Sequence, residues 1–126
     1  MKSTIVSFSI FILMLFSIIF SIHYLNSMCA KLQNLNMKIE QAVESNDWDK
    51  SYKNSEELTA EWKKYSPRLS IFSNNNEIDD INNELSKLMQ HITYKSKEES
   101  LISISIIKNS IYGILEMQQL NMHNLF

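Results

Sequence analysis

The stretch NDWDKSYKNSEELTAEWKKYSP, residues 46–67, holds both tryptophans of the chain, fourteen positions apart. Fourteen residues is close to four turns of an α-helix, so Trp48, Tyr52, Ser55, Leu58 or Thr59, and Trp62 recur along one helical face. Asp49, Lys50, Lys53, Glu56, Glu57 and Lys63 fall mostly off that face, as a solvated surface requires. The two indole rings lie about 21 Å apart along such a helix, too far to converge on one cation. They are therefore expected to pack as core residues against a neighbouring helix. Asn46 or Asp47 supplies a side-chain acceptor to start this helix, and Pro67 is expected to end it.

Upstream, Met28, Leu32, Leu35, Ile39 and Ala42 or Val43 recur at steps of three and four, which predicts an amphipathic helix joined to the next by a short turn at 45–47. Downstream, the linker RLSIFSNNN carries Leu69, Ile71 and Phe72, which are expected to tuck under this hairpin. Asn75 or Asn76 caps a third helix whose first turn holds Glu77, Asp79 and Asp80, a charge placement that complements the helix dipole. Its apolar stripe is Ile78, Ile81, Leu85, Leu88, Met89 and Ile92. Ser96 with Glu99 fits a capping box for a fourth helix marked by Leu101, Ile104, Ile107, Ile111, Ile114 and Gln118. The run LISISI at 101–106 alternates like a strand, but apolar residues continue at helical spacing through Leu115, which favours helix. Ile102, Ile106, Tyr112 and Met117 widen the apolar face of this helix; burial in the bundle is expected, with a partner-facing side as the alternative.

At the other end, TIVSFSIFILMLFSIIFSIHYL from Thr4 to Leu25 has no acidic residue, lysine or arginine. Its 22 residues span about 33 Å as a helix, the thickness of a bilayer core. A cleaved signal peptide has a shorter apolar run before a small-x-small site, whereas Met28 precedes Ala30 by two and Leu25 precedes Ser27 by two. An uncleaved anchor is expected, continuous with the amphipathic helix after it because neither Pro nor Gly intervenes. Cys29 lacks the small residue that a lipidation signal places immediately before the cysteine, since Met28 stands there, and it reads as an ordinary thiol. Lys2 against Lys31 and Lys38 gives a weak charge asymmetry across the span. A short tail before one anchor is expected to leave the remainder outside the cell.

The whole chain has 126 residues, one Gly, one Pro, one Cys and a net charge of −2. So few turn formers argue against an all-β fold, and a lone cysteine makes no internal disulfide. No run of basic residues exceeds Lys63-Lys64, so nucleic acid is not expected as a partner. A single glycine rules out a Gly-rich phosphate loop, and His23, His91 and His123 have no companions at metal-ligand spacing. Glu77, Asp80 and Glu84 share a helical face that is expected to be solvated. No catalytic, cofactor-binding or metal-binding residue is assigned, and no cofactor is expected.

The residues Asp47 and Trp48, Trp62, Glu77 with Ile78 and Asp79, and Asn124 to Phe126, in this order, resemble domain-of-unknown-function family 4363. Its members are small membrane-anchored helical proteins of endospore-forming Firmicutes, and the resemblance covers nearly the whole chain. It implies a helical extracytoplasmic domain behind one anchor and brings no activity with it. Where the family pattern has His, this chain has Asn76.

The expectation is thus an all-α chain. A tail of residues 1–3 precedes a transmembrane helix at 4–25 and a domain at 26–126 with helices near 26–45, 47–65, 76–94 and 97–122. The domain is a four-helix bundle of two antiparallel hairpins, the first resembling a tetratricopeptide pair. Its expected core is Trp48, Tyr52, Leu58, Trp62, Ile78, Ile81, Leu85, Leu88, Ile92, Ile104, Ile107, Ile111 and Ile114. Function is expected to be non-enzymatic: a single-pass protein of the cell membrane whose partners are the lipid bilayer and a protein of the membrane or envelope. The alternative is an accessory subunit packing through Ser7, Ser9, Ser17 and Ser21 of its membrane helix against a multi-pass protein. A small enzyme or ligand sensor would need a pocket where polar groups such as Tyr52, His91 and Tyr112 converge.

Overall fold

The computed structural model describes the backbone of residues 1–72 and 75–125 and the side chains of residues 1–70 and 76–116. Four helices follow one another: α1 (Lys2–Glu44), α2 (Trp48–Phe72), α3 (Asn75–Thr93) and α4 (Lys97–Leu125). The chain is all-α, and the alternating LISISI run lies inside α4. Each helix packs on its sequence neighbours, and α1 packs on α4 to close the ring. The result is an up-down-up-down bundle.

α1 is one uninterrupted helix with two characters. From Leu25 it buries Met28, Cys29, Leu32, Leu35, Asn36, Ile39, Ala42 and Val43 against the bundle, the three-and-four spacing of a core-facing stripe. Before that, large side chains from Ile5 to Phe20 stand exposed, Phe8 at 63 % and Phe20 at 72 %. This half is long and apolar enough to cross a membrane by length and composition, and its most apolar stretch buries nothing against the rest of the chain.

The two hairpin turns, Ser45–Asp47 and Tyr94–Ser96, share one geometry. Asn46 (φ 59°) and Lys95 (φ 56°) occupy the left-handed region. Asp47 N–H donates to the Ala42 carbonyl at 2.9 Å and Asn46 N–H to that of Val43 at 3.0 Å; Ser96 N–H donates to His91 at 2.8 Å and Lys95 N–H to Ile92 at 3.0 Å. These are the paired bonds of a Schellman ending, which satisfy carbonyls the helix leaves open. Asp47 Oδ1 then accepts from Lys50 N–H at 3.2 Å and caps α2. The expected capping box at Ser96 is corrected: its N–H is taken by His91, and the Glu99 carboxylate instead lies 3.0 Å from His91 Nδ1.

With the turns superposed, the second hairpin repeats the first at an offset of 49 residues. Cys29, Leu32, Leu35, Asn36, Ile39 and Val43 correspond to Ile78, Ile81, Glu84, Leu85, Leu88 and Ile92, all buried. Ser51, Ser55, Leu58, Trp62 and Tyr65 correspond to Ser100, Ile104, Ile107, Ile111 and Ile114, again all buried. Ser51 and Ser100 even make the same bond, each hydroxyl donating to the carbonyl four residues back, at 2.7 and 2.6 Å. A tetratricopeptide unit repeats at 34 residues, so the likeness of the first hairpin to that unit ends at its antiparallel geometry.

Three expectations are revised. α2 does not stop before Pro67 but runs through it to Phe72. The missing N–H and ring clash cost about 3 kcal/mol, while continuing the helix puts Leu69 fully inside, worth about 1.5–3 kcal/mol, on the same face as Trp62 and Tyr65. Tyr52 is 41 % exposed and Trp48 only half-buried, because Ser51 and Ser55, one position before Tyr52 and three after it and on the same side of it around the helix, take the inward direction near the turn. The other expected core residues are buried. α3 begins at Asn75, so Asn75 and Asn76 lie inside it, and its cap, like the side chains of Ile71, Phe72, Met117 and Gln118, falls outside the described residues.

Trp62 is 2 % exposed, and Trp62→Ala is expected to cost about 3–5 kcal/mol of unfolding free energy in denaturant titration, with Trp48→Ala costing clearly less. Lys95→Gly is expected to stabilise by about 1 kcal/mol, read as a higher thermal midpoint, because glycine adopts the left-handed turn without a Cβ penalty.

Candidate functional site

The duplicated hairpin supplies an internal control: at an exposed position, a side-chain character required by the fold should recur 49 positions away. The outer face of α4 fails this comparison. Ile102 (55 % exposed), Ile106 (38 %) and Tyr112 (52 %) correspond on α2 to Lys53, Glu57 and Lys63, all exposed. Met37 of α1, half exposed beside α4, corresponds to the exposed Ser86 of α3. The expectation that Ile102, Ile106 and Tyr112 are buried is thus corrected. The core of α4 is already filled by Ile104, Ile107, Ile111 and Ile114, leaving the wider apolar arc to face outward.

The grooves beside α4 follow from the same pairing. Between α1 and α4 lies an open groove of about 590 Å³ lined by Gln33, Asn36, Met37, Glu40, Lys108 and Tyr112. Its counterpart between α2 and α3, about 450 Å³, is lined at the equivalent positions by Asn82, Leu85, Ser86, Met89, Thr59 and Lys63. Both are tied by an amide: Gln33 Nε2 donates to the Lys108 carbonyl at 3.0 Å, and Asn82 Oδ1 accepts from Trp62 Nε1 at 2.6 Å. On the other flank of α4, a smaller groove of about 180 Å³ sets Ile102 and Ile106 beside Glu84, Lys87, His91 and Glu99. Lys87 Nζ lies 3.4 Å from Glu84 Oε1 there, and His91 pairs with Glu99. An apolar centre is therefore edged by ion pairs.

Asn36 is the polar exception in the core, 2 % exposed where the twin position holds Leu85. Its Nδ2 donates to the Ile104 carbonyl at 3.0 Å, which fixes the amide orientation, and its buried Oδ1 has no partner. Together with Gln33 to Lys108 and Lys97 Nζ to the Glu44 carbonyl at 3.0 Å, it sets the antiparallel register of α1 on α4.

The remaining candidates are scattered. Tyr52 stands on α2, His91 in the α3/α4 groove and Tyr112 in the α1/α4 groove, so these three line different surfaces. Of the carboxylates on α3, Glu84 is buried rather than solvated, Asp80 is exposed, and Glu77 lies over Gly113, where an added Cβ would come within 2.9 Å of Glu77 Oε1. No group of three or more His, Cys, Asp or Glu able to hold a metal occurs among the described residues. Burial pushes the Cys29 thiol up to about 11, which leaves little thiolate at neutral pH. Lys31 is held charged above its usual range by its hydrogen bond and charge attraction to Glu61, whose Oε2 lies 3.4 Å away. In the apolar half of α1, helical geometry groups Ser7, Ser17 and Ser21 on one side and turns Ser9 to the other. The Ser21 hydroxyl donates to the Ser17 carbonyl at 2.8 Å.

Asn36→Leu is expected to raise the unfolding free energy by about 1 kcal/mol, because it removes an unpaired buried acceptor and copies the residue of the twin hairpin. Chemical denaturation of the two proteins side by side checks this.

No curated protein and no solved structure matches the chain. A family model does, over residues 19–125, from the last turns of the apolar half of α1 to the end of α4. With both hairpins and their turns inside the match, the chain belongs to the family described as Domain of unknown function (DUF4363).

Proposed function

We propose that the chain is a single-pass membrane protein whose bundle is a non-enzymatic, extracytoplasmic interaction module, docking a protein of the membrane or envelope on the outer face of α4. The observation that carries this reading is the contrast between hairpins: Ile102, Ile106 and Tyr112 stand exposed where α2 has Lys53, Glu57 and Lys63. The scaffold folds with charges at those positions, so their apolar replacement on α4 serves something other than folding. An isoleucine pair four residues apart, edged by His91–Glu99 and Glu84–Lys87, has the apolar centre and polar rim of a protein-binding patch. Anchoring is supported by α1, whose exposed apolar half has the length of a bilayer core. A buried core helix would have hidden those side chains.

A second reading, an accessory subunit held through the membrane helix, draws on the shared side of Ser7, Ser17 and Ser21. The two separate in one experiment. Full-length protein is crosslinked in its native membrane and captured, beside a double variant Ile102→Asp with Ile106→Asp, a control Lys53→Asp, and a protein whose residues 4–21, which leave the buried Leu25 in place, are exchanged for an unrelated span. The expected result is a partner retained by the control and the exchanged span and lost from the double variant. The control and the exchanged span should unfold within about 0.5 kcal/mol of the parent, as surface substitutions do, and the double variant, which gives up the covered part of two isoleucines, should still unfold cooperatively. A partner lost only with the native span establishes the accessory subunit instead.

A further inference from the structure

At the end of the bundle nearest the apolar half of α1, two cations and two tyrosines gather that neither the α4 face nor its rim uses. Arg68 Nη1 donates to the Tyr24 hydroxyl, with the guanidinium carbon 5.8 Å from the Tyr24 ring centroid. One turn up α2, Lys64 Nζ lies 5.4 Å from the ring centroid of Tyr65. Lys31 is already matched to Glu61, whereas Lys63, Lys64 and Arg68 at this end of α2 have no carboxylate partner among the described residues.

The register of α2 on α1 says where this group stands. Glu61 faces Lys31 and Arg68 faces Tyr24, so seven residues along α2 match seven back along α1 without slip. The same register carries Ser70 to the level of Ile22 and the end of α2, Phe72, to that of Phe20. Phe20, 72 % exposed, belongs to the apolar run that begins near the N-terminus and packs on no other helix. No polar spacer therefore separates the bundle from the segment that would lie in lipid, and α1 has no Pro or Gly at which to bend away.

We propose that this base of the bundle, Tyr24 with the last turns of α2, is seated in the headgroup layer of the same bilayer that α1 crosses, with Arg68 donating to a lipid phosphate. The inference rests on the membrane-anchored reading given above. The chemistry of the group fits the layer. An arginine has five N–H donors in a planar fork suited to phosphate, and Tyr24 takes one of them among the described residues. A tyrosine with an apolar body and a hydroxyl tip belongs at the lipid–water boundary. The acidic residues at this end are Glu61, matched to Lys31, Glu77, Asp79 and Asp80 of the first turns of α3, and Glu116 of α4, which the register of α4 on α1 sets level with Leu25. Their presence makes the base no basic patch, so the contact is a fork on single phosphates and should form on zwitterionic lipid.

The test uses full-length protein in phosphatidylcholine vesicles, spin-labelled at Ser70→Cys or, as a distant reference in the first turn, at Ser45→Cys, both in a Cys29→Ala background. Accessibility of each label to membrane-dissolved oxygen and to a water-soluble nickel chelate gives its depth, and flotation after a carbonate wash reports anchoring. The expected result is a Ser70 label shielded from nickel relative to Ser45, and loss of part of that shielding when Arg68→Glu is added. Protein that floats but exposes the Ser70 label to nickel as fully as Ser45 overturns the seat while the anchor stands. Protein that washes off overturns both. Shielding that Arg68→Glu leaves unchanged overturns the phosphate contact.

Discussion

Two left-handed residues, Asn46 and Lys95, hold the register on which the rest of the structure depends. Each closes a three-residue turn through the same pair of backbone bonds, so each hairpin starts its return helix at the same angle and height. Displacing either turn by one residue would rotate the following helix by about 100° and take its buried stripe out of the core. Small serines at Ser51 and Ser100 sit just beyond both turns and return their hydroxyls to their own helices, which lets the backbones close without a stranded polar group.

Because one register serves both hairpins, structural need and free choice can be told apart inside a single chain. Core positions mostly pair with core positions, even where the residues are as different as Trp62 and Ile111, with Met28 against Glu77 and Ala42 against His91 among the departures. Outer positions do not: charges on α2 correspond to apolar side chains on α4. Asn36 is the informative intermediate, a buried amide where the other half has Leu85, retained with one acceptor unpaired. Buried polar groups of this kind are known to specify register at a cost in stability. Here the amide donates to the α4 backbone, in line with that role.

Most of the fold was legible from the chain's apolar spacing, since strong three-and-four periodicity locates helices regardless of their partners. The α3 stripe from Ile78 to Ile92 and the fusion of the apolar segment with the first amphipathic helix read directly. Pro67 misled because its local penalty is visible in sequence, whereas the compensating burial of Leu69 exists only once the bundle forms. Tyr52 misled because its neighbours Ser51 and Ser55 look like surface residues until close helix approach turns them inward. The α4 face was seen as a wide apolar arc, but its outward direction needed the packing. The repeat was hidden because it conserves burial rather than identity: Ser55 answers to Ile104 and Tyr65 to Ile114.

The unbroken course of α1 has a mechanical consequence. The two halves of α1 share one helix and cannot swivel independently, so were the apolar half to cross a bilayer, as proposed, the bearing of the α4 face in the membrane plane would be locked to the rotation of that half. The roughly 30 Å of α1 that lies within the bundle is a lever arm. A tilt of about 10° in the span, well within the usual range, would carry the far turns sideways by about 5 Å. Membrane thickness would then act as an aiming device, deciding at what angle Ile102 and Ile106 are presented to a neighbour.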